Sequence, residues 1–154
     1  MSERTQGWRP MTVDDIPAAK AVADAVHTNQ PERTEVFADR LRLQPAGCRV
    51  LEAGGSLAAY ILSHPWRLGA PPALDTVLER LPEAPDTYYI HDIALLPAAR
   101  GTGAAAAVVE DIAEAAQAAG FSSLSRGARQ RTEGLVGRPG GRPPAAPLGH
   151  QARG

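Results

Sequence analysis

Residues 87–121, TYYIHDIALLPAARGTGAAAAVVEDIAEAAQAAGF, constrain this chain more than any other stretch. β-Branched, aromatic and aliphatic side chains fill 87–95, which favours an extended strand. Pro97 stops it, and Arg100, Gly101, Thr102 and Gly103 make a glycine loop. From Ala104 the apolar period lengthens. Val108, Ile112, Ala115 and Ala119 recur at spacings of three and four, with Glu110, Asp111, Glu114 and Gln117 on other faces. That pattern predicts an amphipathic helix, and Gly120 suits the left-handed position that ends one.

The loop has a definite chemical capability. Gly101 and Gly103 carry no Cβ, so a ligand can approach the backbone closely. The first amides of the helix lack intrahelical acceptors and sit at the positive end of its dipole. Such a turn can cradle a pyrophosphate, and Arg100 can add a charge-assisted contact. The plainer alternative is a glycine turn that only joins strand to helix. A Walker loop needs Gly-Lys-Ser/Thr after its second glycine, and no Lys lies nearby. A dinucleotide fingerprint would need a third glycine at Ala106 and would normally open its domain.

Arg100-x-x-Gly103-x-Ala105 resembles the acyl-CoA loop of the GNAT acyltransferase superfamily, written Gln/Arg-x-x-Gly-x-Gly/Ala. The preceding IHDIALLP and the small residues leading to Val108 and Val109 also resemble that family, from Gly7 to near Ser125. Ala104 departs from it, since the family usually has a larger aliphatic residue there. The resemblance implies an α/β fold, with a mixed, mostly antiparallel central sheet flanked by helices. It implies N-acetyltransferase activity, with acetyl-CoA as co-substrate, an amine of a small molecule or peptide as acceptor, and no metal. Amides of the loop Arg100, Gly101, Thr102, Gly103, Ala104 and Ala105 would hold the CoA pyrophosphate. The strand at Ile93, Ala94 and Leu95 would splay from its neighbour, pair with the pantetheine arm and, near Leu95, polarise the thioester. The resemblance is compatible with a homodimer.

The bulk numbers fit one domain. The chain has 154 residues, 44% hydrophobic and 21% charged, as in ordinary globular proteins. Its net charge of −1 is unevenly spread. Residues 1–125 hold ten basic and sixteen acidic residues, a net of −6, and nothing in them suggests a nucleic-acid surface. Cys48 is the only cysteine, so no internal disulfide forms. The start, MSERT, has no apolar signal core and no run is long enough to span a membrane, which makes a cytoplasmic location the default expectation.

Read in order, 7–11 (GWRPM) predicts a short strand, with Pro10 marking an edge or a strand end. Thr12 and Asp15 have capping-box spacing, and Ile16, Ala19, Val22, Ala23 and Val26 form the stripe of a first helix. His27 follows it and reads as a helix-end cation. Pro31 predicts the start of a second helix, 31–43. Family resemblance makes Glu32 and Glu35 candidate substrate contacts, against the plainer reading of a solvated helix face. Residues 48–53 and 57–64 predict a hairpin around Gly54, Gly55 and Ser56. Cys48 reads as a small buried residue. A proline-rich connection, 65–86, follows, with Asp75 as a cap for a short helix 76–81. Connections of that length are usually functional or mobile. SHPWRLGAPP, then LPEAPD, resembles a bacterial subgroup in which this segment crosses the acceptor side. Trp66 either lines that side or covers the core.

The core strand carries the candidate catalytic residues. Alternation places Tyr89, His91 and Ile93 on one face and Ile90, Asp92 and Ala94 on the other. An amine is mostly protonated near neutral pH and must lose a proton before it attacks a thioester. His91 has the right chemistry to take that proton, and Asp92 does so only if burial raises its affinity for protons. The alternative is that both are structural.

The expected domain is 1–125. From Arg126 the sequence becomes RGARQRTEGLVGRPGGRPPAAPLGHQARG, rich in Gly, Pro and Arg, with scarcely any apolar periodicity. The segment 126–154 therefore reads as a disordered tail. The family would continue with a valine-rich strand, an Asn turn and a helix bearing the Tyr that protonates the leaving thiolate, whereas the last Tyr here is Tyr89. The C-terminal part of the fold is thus missing or aberrant, and activity is expected to be impaired. A frameshift is the first reading. Permitted codons for 126–137, read one base later, encode Val-Ala-Arg-Val-Asn-Gly-Gln-Arg-Val-Trp-Ser. A natural disordered extension and a basic nucleic-acid-binding tail are the alternatives. At the level of the whole chain, the rival functions are a non-catalytic acyl-CoA-binding protein and an interaction protein.

Overall fold

A computed structural model describes residues 7–127 and the backbone of 145–147. It contains six strands in the order β1-β2-β3-β4-β5-β6. These are β1 (Trp8–Pro10), β2 (Cys48–Ala53), β3 (Ser56–Trp66), β4 (Thr87–Leu95), β5 (Ser123–Arg126) and β6 (Ala145–Pro147). Every neighbouring pair is antiparallel except β4 and β5, which run parallel. A parallel pair needs a crossover, and α3 (Ala104–Ala118) supplies it. Helices α1 (Ile16–Val26) and α2 (Thr34–Leu43) precede β2. This is the mixed, mostly antiparallel α/β sheet with flanking helices that the resemblance implies.

Two apolar layers sandwich the sheet. Val108, Ile112 and Ala116 of α3 pack with Ile61, Ile90, Ile93 and Leu124. On the other face, Ile16, Ala19, Val22 and Ala23 of α1 and Phe37 of α2 pack with Val50, Tyr60, Leu62 and Ala94. The local signals behind these helices are visible. The Thr12 amide donates to the Asp15 carboxylate at 2.8 Å, closing the expected capping box. At the end of α3, Gly120 has φ +103°, and the amides of Gly120 and Phe121 bond back to Gln117 and Ala116. Gly54 and Gly55, both at positive φ, make the two-residue hairpin loop between β2 and β3.

Two elements differ from the sequence reading. No helix forms at 76–81. Asp75 and Glu79 have φ of +59° and +70°, and the amides of Leu78 and Glu79 donate to the Asp39 carboxylate instead of to helical carbonyls. Helix α2 begins at Thr34, not Pro31, because Glu32 and Arg33 are committed to bonds with Asp75 across the sequence. Most of the segment read as a disordered tail lies outside the described residues. Of the rest, Arg126 ends β5, and Ala145–Pro147 pairs antiparallel with Ser123–Ser125.

Gly47 is fixed by space alone. A Cβ at Gly47 would lie 2.2 Å from the Ser63 carbonyl and 2.5 Å from the Tyr88 hydroxyl. Gly47→Ala should therefore lower stability by about 1–3 kcal/mol, measurable by urea unfolding; native stability in that variant would show that the backbone can yield there.

Candidate active site

The glycine loop forms as its composition predicts. Gly101 has φ +74°, and Gly103, with φ +84°, is the N-cap of α3. Thr102 Oγ1 donates to the Ala99 carbonyl at 2.8 Å and accepts from the Ala104 amide at 3.3 Å. The first amide bonded inside the helix is that of Ala107, to the Gly103 carbonyl. The earlier amides, at Ala105 and Ala106, thus face out of the helix end, where an anion is favoured. A Cβ at Gly101 would meet nothing within 4 Å, so the approach is open. Arg100 is exposed, and its Nε donates to the Leu95 carbonyl at 2.9 Å, which ties the loop to the end of β4.

The described part of the β4–β5 pairing is short. Pairing of β4 with β5 covers only Tyr88, Ile90 and the residue between them, and ends with the Gly127 amide on the Ile90 carbonyl. Among the described residues no strand pairs with that edge of β4 beyond this point. Ile93, Ala94 and Leu95 therefore present one backbone edge beside the loop while the other pairs with β3.

The catalytic candidates sit at a β-bulge. Leu62 of β3 opposes Asp92, but the next residue, Ser63, opposes Ile90, so His91 is the extra residue. Strict alternation fails there, and the expected separation of His91 from Asp92 is corrected. Ile90 and Ile93 both pack with the α3 layer, whereas Asp92 and His91 both turn to the side of α1 and α2.

Each of the two polar residues meets a buried partner. Tyr60 Oη donates to Asp92 Oδ2 at 2.5 Å, and His27 Nε2 lies 2.9 Å from Asp92 Oδ1. His91 Nε2 lies 3.0 and 3.1 Å from the two oxygens of Glu32. With Nε2–H donated to Glu32, the lone pair of the neutral ring falls on Nδ1, which is buried and makes no hydrogen bond among the described residues. A carboxylate that orients one ring nitrogen and leaves the other as acceptor is the arrangement a general base requires. Asp92 instead has both oxygens engaged.

His27 and Glu32 are 4% and 1% exposed. His27 stands at the C-cap of α1, as its place in the sequence implies, but it is buried against Asp92, and the reading of Glu32 as a solvated face is corrected; Glu35 is exposed. Sequence reasoning also missed Tyr60, His64 and Arg40. The fully buried His64 ring meets Trp66 edge-on and Tyr89 and His91 at a tilt, and its Nδ1 bonds the Pro65 carbonyl. Burial pushes the His64 imidazole down to about 3. Arg40, also fully buried, donates through Nη1 to Asp39 and to the Thr76 carbonyl, and desolvation lowers its pKa. Burial pushes the Cys48 thiol up to about 12, which makes it an inert core residue, as expected. Trp66 is half-buried, with its indole N–H on the Ala70 carbonyl. Among the described residues no group of three or more His, Cys, Asp or Glu is placed to hold a metal, and no helix is long and apolar enough to cross a membrane.

The family model described as Acetyltransferase (GNAT) family matches residues 14–130. The chain belongs to the GNAT acetyltransferase family. Its fold is similar to that of the GphF GNAT-like decarboxylase in complex with isobutyryl-CoA, with a TM-score of 0.67 at 21% identity over 96% of this chain and 84% of that one. The loading GNATL domain of CurA from Lyngbya majuscula gives 0.66 at 16% identity over 78% and 63%. The ribosomal-protein-S18-alanine N-acetyltransferase from Escherichia coli gives 0.52 at 18% over 77% and 64%. The chain thus spans just under two thirds of the last two. No curated protein matches the sequence. Acyl transfer from CoA is the activity of the family, and the GphF structure carries an acyl-CoA.

Two measurements follow from this geometry. Gly103→Asp would place a side chain at a left-handed N-cap and a negative charge on the anion-binding face; calorimetry should show CoA binding weakened by at least about tenfold, on the order of 1.4 kcal/mol. Unchanged affinity in the folded variant would remove the phosphate role. For His64, the folded pKa of about 3 lies below the ordinary 6.5, so the unfolded chain binds the extra proton between those values. Stability from the buried neutral ring is fully present above pH 6.5 and falls as pH drops toward 3. His64→Gln should lose less stability than the native chain between pH 7 and pH 5; equal losses would contradict the assignment.

Proposed function

We propose that this chain transfers an acetyl group from acetyl-CoA to an amine of a small molecule or peptide. The observation that carries this is one juxtaposition: the edge of β4 at 93–95 that no strand pairs among the described residues, the glycine loop just beyond it, and the oriented His91 imidazole just before it. Amides of 100–105 hold the pyrophosphate, and the edge of Ile93, Ala94 and Leu95 holds the pantetheine arm. An amide near Leu95 polarises the thioester carbonyl. His91 Nδ1 takes the proton from the acceptor ammonium. The amine nitrogen then forms its bond to the acyl carbon, the C–S bond breaks, the nitrogen sheds its second proton to solvent, and the thiolate must recover a proton.

Nothing after Tyr89 matches the family's phenol donor, so the last step falls to solvent or to His91, and turnover is slow. Asp92 serves the site by fixing His27 and Tyr60 at its back. The working domain is 1–125, located in the cytoplasm, where acetyl-CoA is supplied. The absence of a matching phenol also favours a second reading, acyl-CoA binding without transfer.

The two readings separate when CoA release is followed over a panel of amines and peptide N-termini, with CoA binding measured in parallel. Slow transfer by the native chain, reduced about 100-fold or more in His91→Gln with CoA affinity retained, is the expected result. Binding without release on any acceptor supports the second reading. Full transfer by His91→Gln would remove His91 as the base. Because GphF is named a decarboxylase, release of carbon dioxide from a carboxylated acyl-CoA belongs in the same assay as a competing outcome.

A further inference from the structure

The proline-rich connection 67–86 is irregular, yet it is fastened to the α1–α2 side at several points. Asp39 accepts from the amides of Leu78 and Glu79 at 2.7 and 3.0 Å. Arg40 and Arg42 donate to the carbonyls of Thr76 and Glu79. One fastening differs from these because it ends at the candidate base. The Asp75 amide donates at 2.7 Å to Glu32 Oε2, an oxygen that also lies 3.1 Å from His91 Nε2.

Building on the acyl-transfer reading of this site, we propose that the β3–β4 connection positions the His91 imidazole: Arg33 locks Asp75, the Asp75 amide holds Glu32, and Glu32 fixes the ring. Asp75 and Arg33 are positioning residues, remote from the reacting atoms.

Three observations support the chain of contacts. First, Asp75 has φ +59°, a left-handed conformation that Asp tolerates better than most residues and that its bonds hold here. That conformation turns its amide toward Glu32. Second, Arg33 imposes it from several directions. The Arg33 amide donates to Asp75 Oδ1 at 2.8 Å, Nε reaches both carboxylate oxygens at 3.1 Å, and Nη2 donates to the Asp75 carbonyl at 2.9 Å. The Arg33 amide and guanidinium hold the Asp75 carboxyl below its ordinary range. Third, the Glu32 side chain is fully buried, so its carboxylate needs donors to stay there. His91 and the Asp75 amide are two of them.

The Arg33–Asp75 pair itself is solvent-exposed, with 54% and 39% of the two side chains accessible. Such pairs contribute little net stability. Their loss should therefore be felt at His91 more than in the melting of the fold. The other fastenings, through Asp39, Arg40 and Arg42, remain when this one is cut.

The test reads the imidazole directly. In 15N-labelled protein the neutral His91 ring should show a single tautomer, protonated at Nε2. Besides Glu32, the ring faces His64 of β3 and Tyr89 of β4, with Arg40 and Asp39 of α2 beyond, so spectra are compared at one pH where only the pin differs. Asp75→Gly keeps the left-handed backbone and its amide but removes the carboxylate through which Arg33 locks it, and Arg33→Gln removes that lock from the other side. Both should mix the tautomers and lower kcat about tenfold, with CoA affinity unchanged. In a Glu32→Leu background, Asp75→Gly should add no further change. Native ring shifts in both folded single variants would overturn the proposal. The spectra require no turnover, so a failure of acetyl transfer itself is read separately.

Discussion

The site depends on one extra residue in β4. The bulge at His91 turns two consecutive polar side chains, His91 and Asp92, to the same face of a central strand, where both are almost fully buried. Burial of polar groups is costly unless they are bonded. The surrounding chain is committed to that need. His27 at the end of α1 and Tyr60 of β3 serve Asp92, and Glu32 between α1 and α2 serves His91. Without the bulge, one of the pair would point into the apolar layer under α3. The same irregularity stands just ahead of residues 93–95, so the oriented imidazole and the edge left unpaired among the described residues are neighbours by construction.

The connection between β3 and β4 follows the same logic at larger scale. It lacks regular structure, so its backbone amides have no ladder to join. Asp39 and Glu32 take three of them, and Arg40 and Arg42 satisfy carbonyls. Its order is borrowed from α2 and the turn before it. Two non-glycine residues at positive φ are the local cost of this arrangement. The surface it forms is therefore shaped by charged bonds, with Trp66 at its root and Leu68 and Leu74 exposed on it.

What was legible in the sequence was local. The 100–105 loop, the capping box at Thr12 and Asp15, the stripe of α1 and the helix stop at Gly120 each depend on neighbours a few residues apart, and each forms as read. The β2–β3 hairpin is specified by Gly54 and Gly55 for the same reason. The illegible features are long-range. A bulge at His91 depends on the register of β3, and no residue at 90–93 announces it. Glu32 looks like one more surface acid until the Asp75 amide and His91 close on it from 43 and 59 residues away. The 76–81 helix fails because Asp39, far back in the chain, competes for its amides. His27 was assigned by its place at a helix end, where an ionisable residue is usually wet, and only the fold brings Asp92 against it.

On the proposed reading β4 is a platform, with a phosphate cradle just beyond its C-terminal end and the His91 base midway along it. A crystal structure of the chain with CoA tests this most directly. The pyrophosphate should lie on the amides of 101–105, with the pantetheine running along Ile93–Leu95 and its sulfur ending near His91. A CoA molecule bound elsewhere, or bound at the loop with its thiol turned away from β4, would contradict it.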